Sequence, residues 1–264
     1  MADSAAAGKT IVVTGGAGGL GKAVATAFLA AGARVAIFDV NEARLASTAS
    51  EWAAAHGADK FLTSQTDITS ESAVSSFFSS VVARFGRIDM LINNAGIMDK
   101  FDPAGTLPLE LWNSVIGVNL TGAYLCTKAA VNAFSAQSPS GGTIINISSI
   151  ASLRGLSAGA AYTVSKHGLL GLMRNTAGFY GPKGIYSLAF LMGGMETNIH
   201  EQFASGFNQE GMAAMNGANP GFVIGQTNVQ LADVAKYCLF YADRAMAESS
   251  NGTTITISKN WPSA

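Results

Sequence analysis

Short runs of β-branched and other apolar residues recur along the chain, separated by longer stretches whose apolar positions repeat with a helical period. The run "KTIVVTG" is apolar and ends in glycine, which predicts a buried strand; "GLGKAVATAFLAAGA" follows as a helix with glycine at its far end. "RVAIFDV" predicts a second strand and "NEARLASTASEWAAAHG" a second helix, opened by Asn41 as its cap. The alternation continues with "KFLTSQTD" (strand), "SESAVSSFFSSVVARFG" (helix) and "IDMLINNAG" (strand). A long helical region from about Pro108 to Ala136 comes next, then "GGTIINISS" as strand, helix from about Ala160 to Tyr180, and "GIYSLAFL" as strand. "VQLADVAKYCLFYA" is helical and "GTTITIS" closes the chain as a strand. Strands that read as unbroken apolar runs, with helices between them, predict a parallel sheet covered on both faces.

Right-handed crossovers then give a single-domain α/β fold over residues 1–264: a Rossmann-like, doubly wound parallel sheet of about seven strands. Residues 1–8 are expected to be a loose tail. One region breaks the pattern: residues 192–228, "MGGMETNIHEQFASGFNQEGMAAMNGANPGFVIGQTN". It follows the sixth strand, where an open α/β sheet binds its ligands, so it is expected to cover a ligand. Its Met192, Met195, Phe203, Phe207, Met212, Met215 and Phe222 suit either ordinary packing on the sheet or a flexible apolar cap over a substrate.

Composition narrows the function classes. Of 264 residues, 48% are hydrophobic and 12% charged, a balance that builds a core and excludes a disordered chain. A net charge of −1 with no basic stripe points away from nucleic acid and anionic membrane surfaces. No apolar run reaches the roughly 18 residues of a membrane span. The start, "MADSAAAGK", does not read as a signal peptide. Cys126 and Cys238 read as two buried thiols in a reducing compartment, which suggests the cytoplasm. His56, His167 and His200 lack ligand spacing, so no metal is expected.

Candidate chemistry begins at Thr14-Gly15-Gly16-Ala17-Gly18-Gly19-Leu20-Gly21, between the first strand and the first helix. A glycine-rich turn there lets the backbone approach a pyrophosphate, which sits on the helix N-terminus. The next strand ends at Asp39, placed to accept hydrogen bonds from both hydroxyls of an adenosine ribose and to repel a 2′-phosphate. No arginine or lysine lies inside the glycine turn to offset it, so NAD is expected over NADP. Further on, "AYTVSK" puts Tyr162 four residues before Lys166, on one face of a helix.

With these pieces in order, the chain resembles the short-chain dehydrogenases/reductases over nearly its whole length. The resemblance is carried by "TGGAGGLG", Asp39, Asp67-Ile68, "NNAG" at Asn93 to Gly96, "VNLTG" with Asn119, "IINISS" and "YTVSK". It implies that Leu20 and the glycines line the pyrophosphate and that Asp67 and Ile68 sit against the adenine. It further implies that Asn94, Ala95 and Gly96 contact the adenosine ribose and pack the end of the fourth strand. Asn119, Ser149, Tyr162 and Lys166 would form a catalytic tetrad; Ser149 is chosen over Ser148 because it stands thirteen residues before Tyr162, as in the family. Lys166 would also hold the nicotinamide ribose, and Asn119 would support a water linking Lys166 to solvent. Met195 would meet the nicotinamide carboxamide through its backbone, and Thr197 would offer a hydroxyl near the pyrophosphate.

The chemistry so implied is hydride transfer with a proton acceptor for the alcohol. A free tyrosine, near ~10, is a poor base at neutral pH; bringing it to about 7 requires roughly 4 kcal/mol of differential stabilisation of the phenolate. Lys166, an oxidised nicotinamide and the dipole of the helix N-terminus are expected to supply it together. Ser149 would donate to the substrate oxygen, and His167 would point elsewhere on the helix. Two departures stand out. "MGGMET" lacks the proline usual after the sixth strand, and "TISKNW" lacks the glycine pair common in a tail that often sits at a subunit contact. The expected function is oxidation of a hydrophobic secondary alcohol, or reduction of its ketone, by a homodimer or homotetramer. The alternatives are an epimerase or dehydratase that retains its NAD, and a binding protein that senses NAD without turnover.

Overall fold

The computed structural model describes residues 5–221 and 226–262, the side chains of His200, Gln202 and Ser205 excepted. The first half alternates strictly: β1 (Thr10–Thr14), α1 (Gly19–Ala30), β2 (Arg34–Asp39), α2 (Glu42–His56), β3 (Phe61–Gln65), α3 (Glu71–Phe85) and β4 (Met90–Asn93). The second half adds α4 (Leu109–Ile116), α5 (Ala123–Ala136), β5 (Gly142–Ser149), α6 (Ala160–Tyr180), β6 (Ile185–Met192), α7 (Gln209–Ala218), α8 (Leu231–Phe240), α9 (Arg244–Ser249) and β7 (Thr254–Ile257). Among the described residues the seven strands form one parallel sheet in the order β3-β2-β1-β4-β5-β6-β7. The expected doubly wound α/β fold is the one observed.

The apolar runs are strands because both faces of the sheet are covered, so every position in them must be apolar. Ile11, Val13, Ile37 and Ile92 pack on one side with Val24, Phe28 and Trp52; Val12, Phe38 and Leu91 pack on the other with Phe77, Val81 and Phe134. Asn41 and Ser70 cap α2 and α3, accepting from the N–H groups of Arg44 and Ala73. After β1 the chain winds outward to β3 and then returns to place β4 on β1's other side. The chain therefore opens a crevice beyond the carboxyl ends of β1 and β4, the switch point at which such sheets bind ligands.

The structure corrects two expectations here. The helix expected from Pro108 to Ala136 is interrupted by a wider π-helical turn over Gly117–Gly122, which separates α4 from α5. Of the loose tail expected at residues 1–8, residues 5–8 are tied down instead. Ala6 is fully buried in the core, and the Gly8 N–H donates to the Gly32 carbonyl at 2.9 Å. Small alanines there pack under the α1–β2 connection, which sequence polarity did not reveal. Residues 1–4, and Phe222 of the covering segment, lie outside the described residues. Residues 223–225 lie outside them too; within the described part of the segment, Asn198–Ser205 form a 3-10 helix and Gln209–Ala218 form α7.

Candidate active site

Backbone geometry fixes the glycine turn. Gly15 and Gly19 have φ of 62° and 50°, where side-chain-bearing residues are strained, and a Cβ on Gly21 would lie 2.2 Å from the Gly15 carbonyl oxygen. Helix α1 begins directly after this turn with no side-chain cap and no acidic residue in its first turn. Its N–H groups and positive dipole end are thus free to meet an anion. A backbone cradle that a Cβ would fill, joined to a bare helix N-terminus, fits the pyrophosphate of a dinucleotide.

The neighbouring polar groups divide into those that hold the cradle and those that face the cavity. Thr14 Oγ1 accepts from the N–H groups of Asn94 and Ala95 at 3.0 and 2.8 Å, and Asn94 Nδ2 donates back to the carbonyls of Thr14 and Gly15. These two side chains clamp the ends of β1 and β4 together. The Asp39 carboxylate accepts from the N–H groups of Ala17 and Asn41 at 3.2 and 3.0 Å and lines the cavity. Asp67 turns its carboxylate onto the N–H and hydroxyl of Thr69, both at 2.8 Å, while Ile68 is buried beside Gly122. Thr197 caps the 3-10 helix, accepting from the Ile199 N–H, and its Cβ stands over Gly19.

At the other end of the same cavity, of about 530 Å³, are Ser149, Tyr162 and Lys166. Helix α6 presents Tyr162 and Lys166 on one face, with the Lys166 Nζ 5.4 Å from the centre of the phenol ring. Nζ also donates to the Ile147 carbonyl at 3.0 Å. Ser149 is close enough to the Tyr162 phenol to lower its pKa, and its Oγ accepts from the Ala151 N–H at 3.1 Å. Ser148 is buried instead, bonded to Ser152 at 2.6 Å. His167 turns outward, its Nδ1 2.9 Å from the Thr163 carbonyl.

Asn119 sits within the π-helical turn, and there its amide points inward rather than to solvent. Its Oδ1 accepts from the Ile97 N–H at 2.8 Å, and its Nδ2 donates to the Ile97 carbonyl and to Ser165 Oγ at 2.9 and 3.1 Å. Asn119 therefore pins the strand-end loop against α6. Gly96 passes between Asn119 and the Lys166 ammonium.

Burial dominates the electrostatics of the pair. The Tyr162 phenol is pushed up to about 12, chiefly by desolvation; Ser149 opposes the shift and the Asp99 charge adds to it. Lys166 is brought down to about 8 by the same desolvation. The expected help from the α6 dipole is opposed by the charge of a residue the sequence did not flag. Asp99, fully buried, accepts from the N–H groups of Phe101 and Gly159 through Oδ1, at 3.1 and 3.0 Å, and from the Tyr162 N–H through Oδ2 at 2.9 Å. A carboxylate thus takes two N–H groups of the α6 N-terminus, those of Gly159 and Tyr162. Gly159 permits the approach, since a Cβ there would lie 2.5 Å from the carboxylate. A capping acid sixty residues upstream leaves no local pattern.

The cavity beside Tyr162 is apolar. Met98, Phe101, Ile150, Met192, Met195 and Met215 line it, together with Trp261 from the tail. Phe203 and Met212 instead back this wall, Phe203 stacking on Phe101 at 5.2 Å, and Phe207 is exposed. Trp261 was missed because a tail after the last strand carries no periodic signal. Its indole donates to the Pro220 carbonyl, and this folds the tail over the cavity. Cys126 and Cys238 are buried thiols raised far above their ordinary range by desolvation. Among the described residues no metal-ligating cluster forms, and no helix is long and apolar enough to cross a membrane.

Comparison with known proteins agrees with this geometry. The family model described as short chain dehydrogenase matches residues 9–206. A short chain dehydrogenase/reductase of Colletotrichum higginsianum, dpchG, is 45% identical over 97% of this chain and 95% of its own. The 3beta-hydroxysteroid dehydrogenase 2 of Eggerthella lenta is 34% identical over 97% of this chain and 95% of its own. The crystal structure of levodione reductase superposes with a TM-score of 0.83 at 26% identity, covering 96% of this chain and 97% of that one.

Proposed function

The chain is a member of the short-chain dehydrogenase family, and on that premise we propose that it interconverts a hydrophobic secondary alcohol and its ketone, with NAD as redox partner and Tyr162 taking and returning the hydroxyl proton. One observation carries the reading: Ser149, Tyr162 and Lys166 share a cavity with the uncapped N-terminus of α1 and with Asp39. The turn from Thr14 to Gly21 would hold the pyrophosphate, Asp39 the adenosine ribose, and Asp67 and Ile68 the adenine. Asn94 to Gly96, Met195 and Thr197 would complete the cofactor contacts, with Lys166 on the nicotinamide ribose. When bound, an oxidised nicotinamide supplies the hydride acceptor and a second positive charge.

Within the protein, Ser149 donates to the substrate oxygen and holds it against the phenol. Tyr162 exchanges the proton, and Asn119 keeps Ile97 and Ser165 fixed beneath it. Lowering a phenol from about 12 to near 7 requires ~7 kcal/mol of preference for phenolate. One ammonium 5.4 Å from the ring supplies ~3 kcal/mol at an effective dielectric of about 20. Lys166 alone therefore leaves Tyr162 protonated, and the proton acceptor is ready only in the loaded enzyme.

The lining of thioethers and aromatic rings, and the names of the two relatives that act on a steroid and on levodione, support a cyclic alcohol or ketone. Two buried free thiols support a reducing compartment such as the cytoplasm. Leu109, Tyr124, Val164 and Phe179, left exposed on α4, α5 and α6, support assembly as a dimer or tetramer.

The test follows absorbance at 340 nm across a panel of cyclic and aromatic secondary alcohols with NAD. Tyr162→Phe is expected to lose about 10²- to 10⁴-fold in turnover while still binding the dinucleotide. Undiminished turnover in that variant, or binding without turnover of any alcohol, refutes the proposal.

A further inference from the structure

At the adenosine end of the cavity, three side chains from distant parts of the sequence close a strap. Arg44 lies on the first turn of α2, positioned by the bond from its own N–H to the Asn41 cap at 3.0 Å. Its guanidinium pairs with Glu201 Oε1 of the 3-10 helix at 2.5 Å, across 157 residues of chain. Asn198 Nδ2 donates to the same carboxylate oxygen at 2.7 Å. The Asn198 side-chain oxygen and the Arg44 Cδ both border Gly18, where an added Cβ would lie 3.0 and 3.6 Å from them. All three side chains line the cavity that holds Asp39 and the glycine turn.

The charge pattern gives this strap a consequence. Among the described residues lining the cavity, the cations are Arg44 and Lys166, and Lys166 is buried at the opposite end under Tyr162. The Arg44 charge is stabilised first by Glu201 and then by Asp39, so it stands within electrostatic reach of the carboxylate assigned to the ribose. A 2′-phosphate needs a guanidinium fork at that place; a bare ribose needs none.

Resting on the dinucleotide reading above, we propose that Glu201 is a specificity-determining residue: by holding the Arg44 guanidinium it withholds the cation that a 2′-phosphate would use, so exclusion of NADP depends on Glu201 as well as on Asp39. Glu201 and its neighbour Asn198 act here on the cofactor's adenosine end, far from the reacting atoms. Both partners of the ion pair are partly exposed, so the effect has the modest size of a surface pair and weakens with salt.

The experiment is calorimetric titration of wild type, Glu201→Gln, Arg44→Met and the double variant with NADH and NADPH at low ionic strength. Glu201→Gln is expected to tighten NADPH about fivefold and change NADH by less than about twofold, and the gain is expected to vanish in the double variant. An unchanged NADPH-to-NADH ratio in Glu201→Gln, or a gain that survives removal of Arg44, overturns the proposal while leaving the dinucleotide site intact. Wild type that binds neither dinucleotide overturns the parent reading and this one with it.

Discussion

Replacing Asp99 by asparagine separates two roles that one carboxylate plays, as an anchor for α6 and as a negative charge beside the phenol. Asparagine has nearly the same shape, and its carbonyl can keep the Phe101 and Gly159 N–H groups that now bond Oδ1. The amide NH₂ would then face the Tyr162 N–H in place of Oδ2, so one charge-assisted bond is lost and two donors oppose each other. Such a loss costs roughly 1.5–3 kcal/mol. Relief of the buried charge offsets part of it. Burial holds the Asp99 carboxyl above its ordinary range, so its ionised form opposes folding at neutral pH; that penalty is absent below the unfolded pKa and complete once pH has risen past the folded one.

A net loss of about 1–2 kcal/mol is expected, read as a drop of about 2–8 °C in Tm. The effect on the phenol has the opposite sense. Asp99 raises Tyr162, so its neutralisation lowers it. At the several-ångström separations within one tyrosine, a unit charge at an effective dielectric of about 20 is worth ~1–2 kcal/mol, or about one pKa unit. Asp102, on the same loop, also raises Asp99, and on α6 Lys166 stands beside the Tyr162 ring. The assay is the pH profile of kcat/KM for alcohol oxidation at saturating NAD, whose rising limb reports the proton acceptor of the NAD-loaded enzyme before the alcohol binds. In Asp99→Asn that limb should move about one unit toward acid. A lower Tm with an unmoved limb would show that Asp99 only caps the helix and would refute the electrostatic account.

Other substitutions probe the frame around this cluster. Gly21→Ala places a methyl group 2.2 Å from the Gly15 carbonyl and 2.6 Å from Asn94 Nδ2, so the turn must open; a stability loss of about 1–3 kcal/mol in urea and at least about tenfold weaker NADH binding are expected. Asn119→Ala strips partners from the Ile97 N–H and carbonyl and from Ser165; roughly 1–3 kcal/mol for each group left dry should appear in urea denaturation, together with a fall in kcat.

The sequence by itself determined the layout. Unbroken apolar runs separated by amphipathic stretches allow only strands buried on both faces, and a run of strands with helical crossovers allows few topologies. The helical repeat likewise sets Tyr162 and Lys166 on one face, and Asn41 announces the helix it caps. All of these are local properties, decided by the spacing of neighbours along the chain.

The tertiary structure decided what distant residues do to one another. Asp99 reaches the Tyr162 N–H across 63 residues and sets a negative charge against the phenolate that the sequence-based expectation did not include. Asn119 points inward because the chain widens into a π-helical turn there, a distortion that its helix-like sequence does not signal. Trp261 closes the cavity, Ala6 enters the core, and Arg44 finds Glu201 rather than standing free. The physical reason is common to these cases. A buried carboxylate, an amide or an ion pair takes its partner from whichever element the fold brings within hydrogen-bonding distance, and chain reversal at the switch point makes that partner remote in sequence.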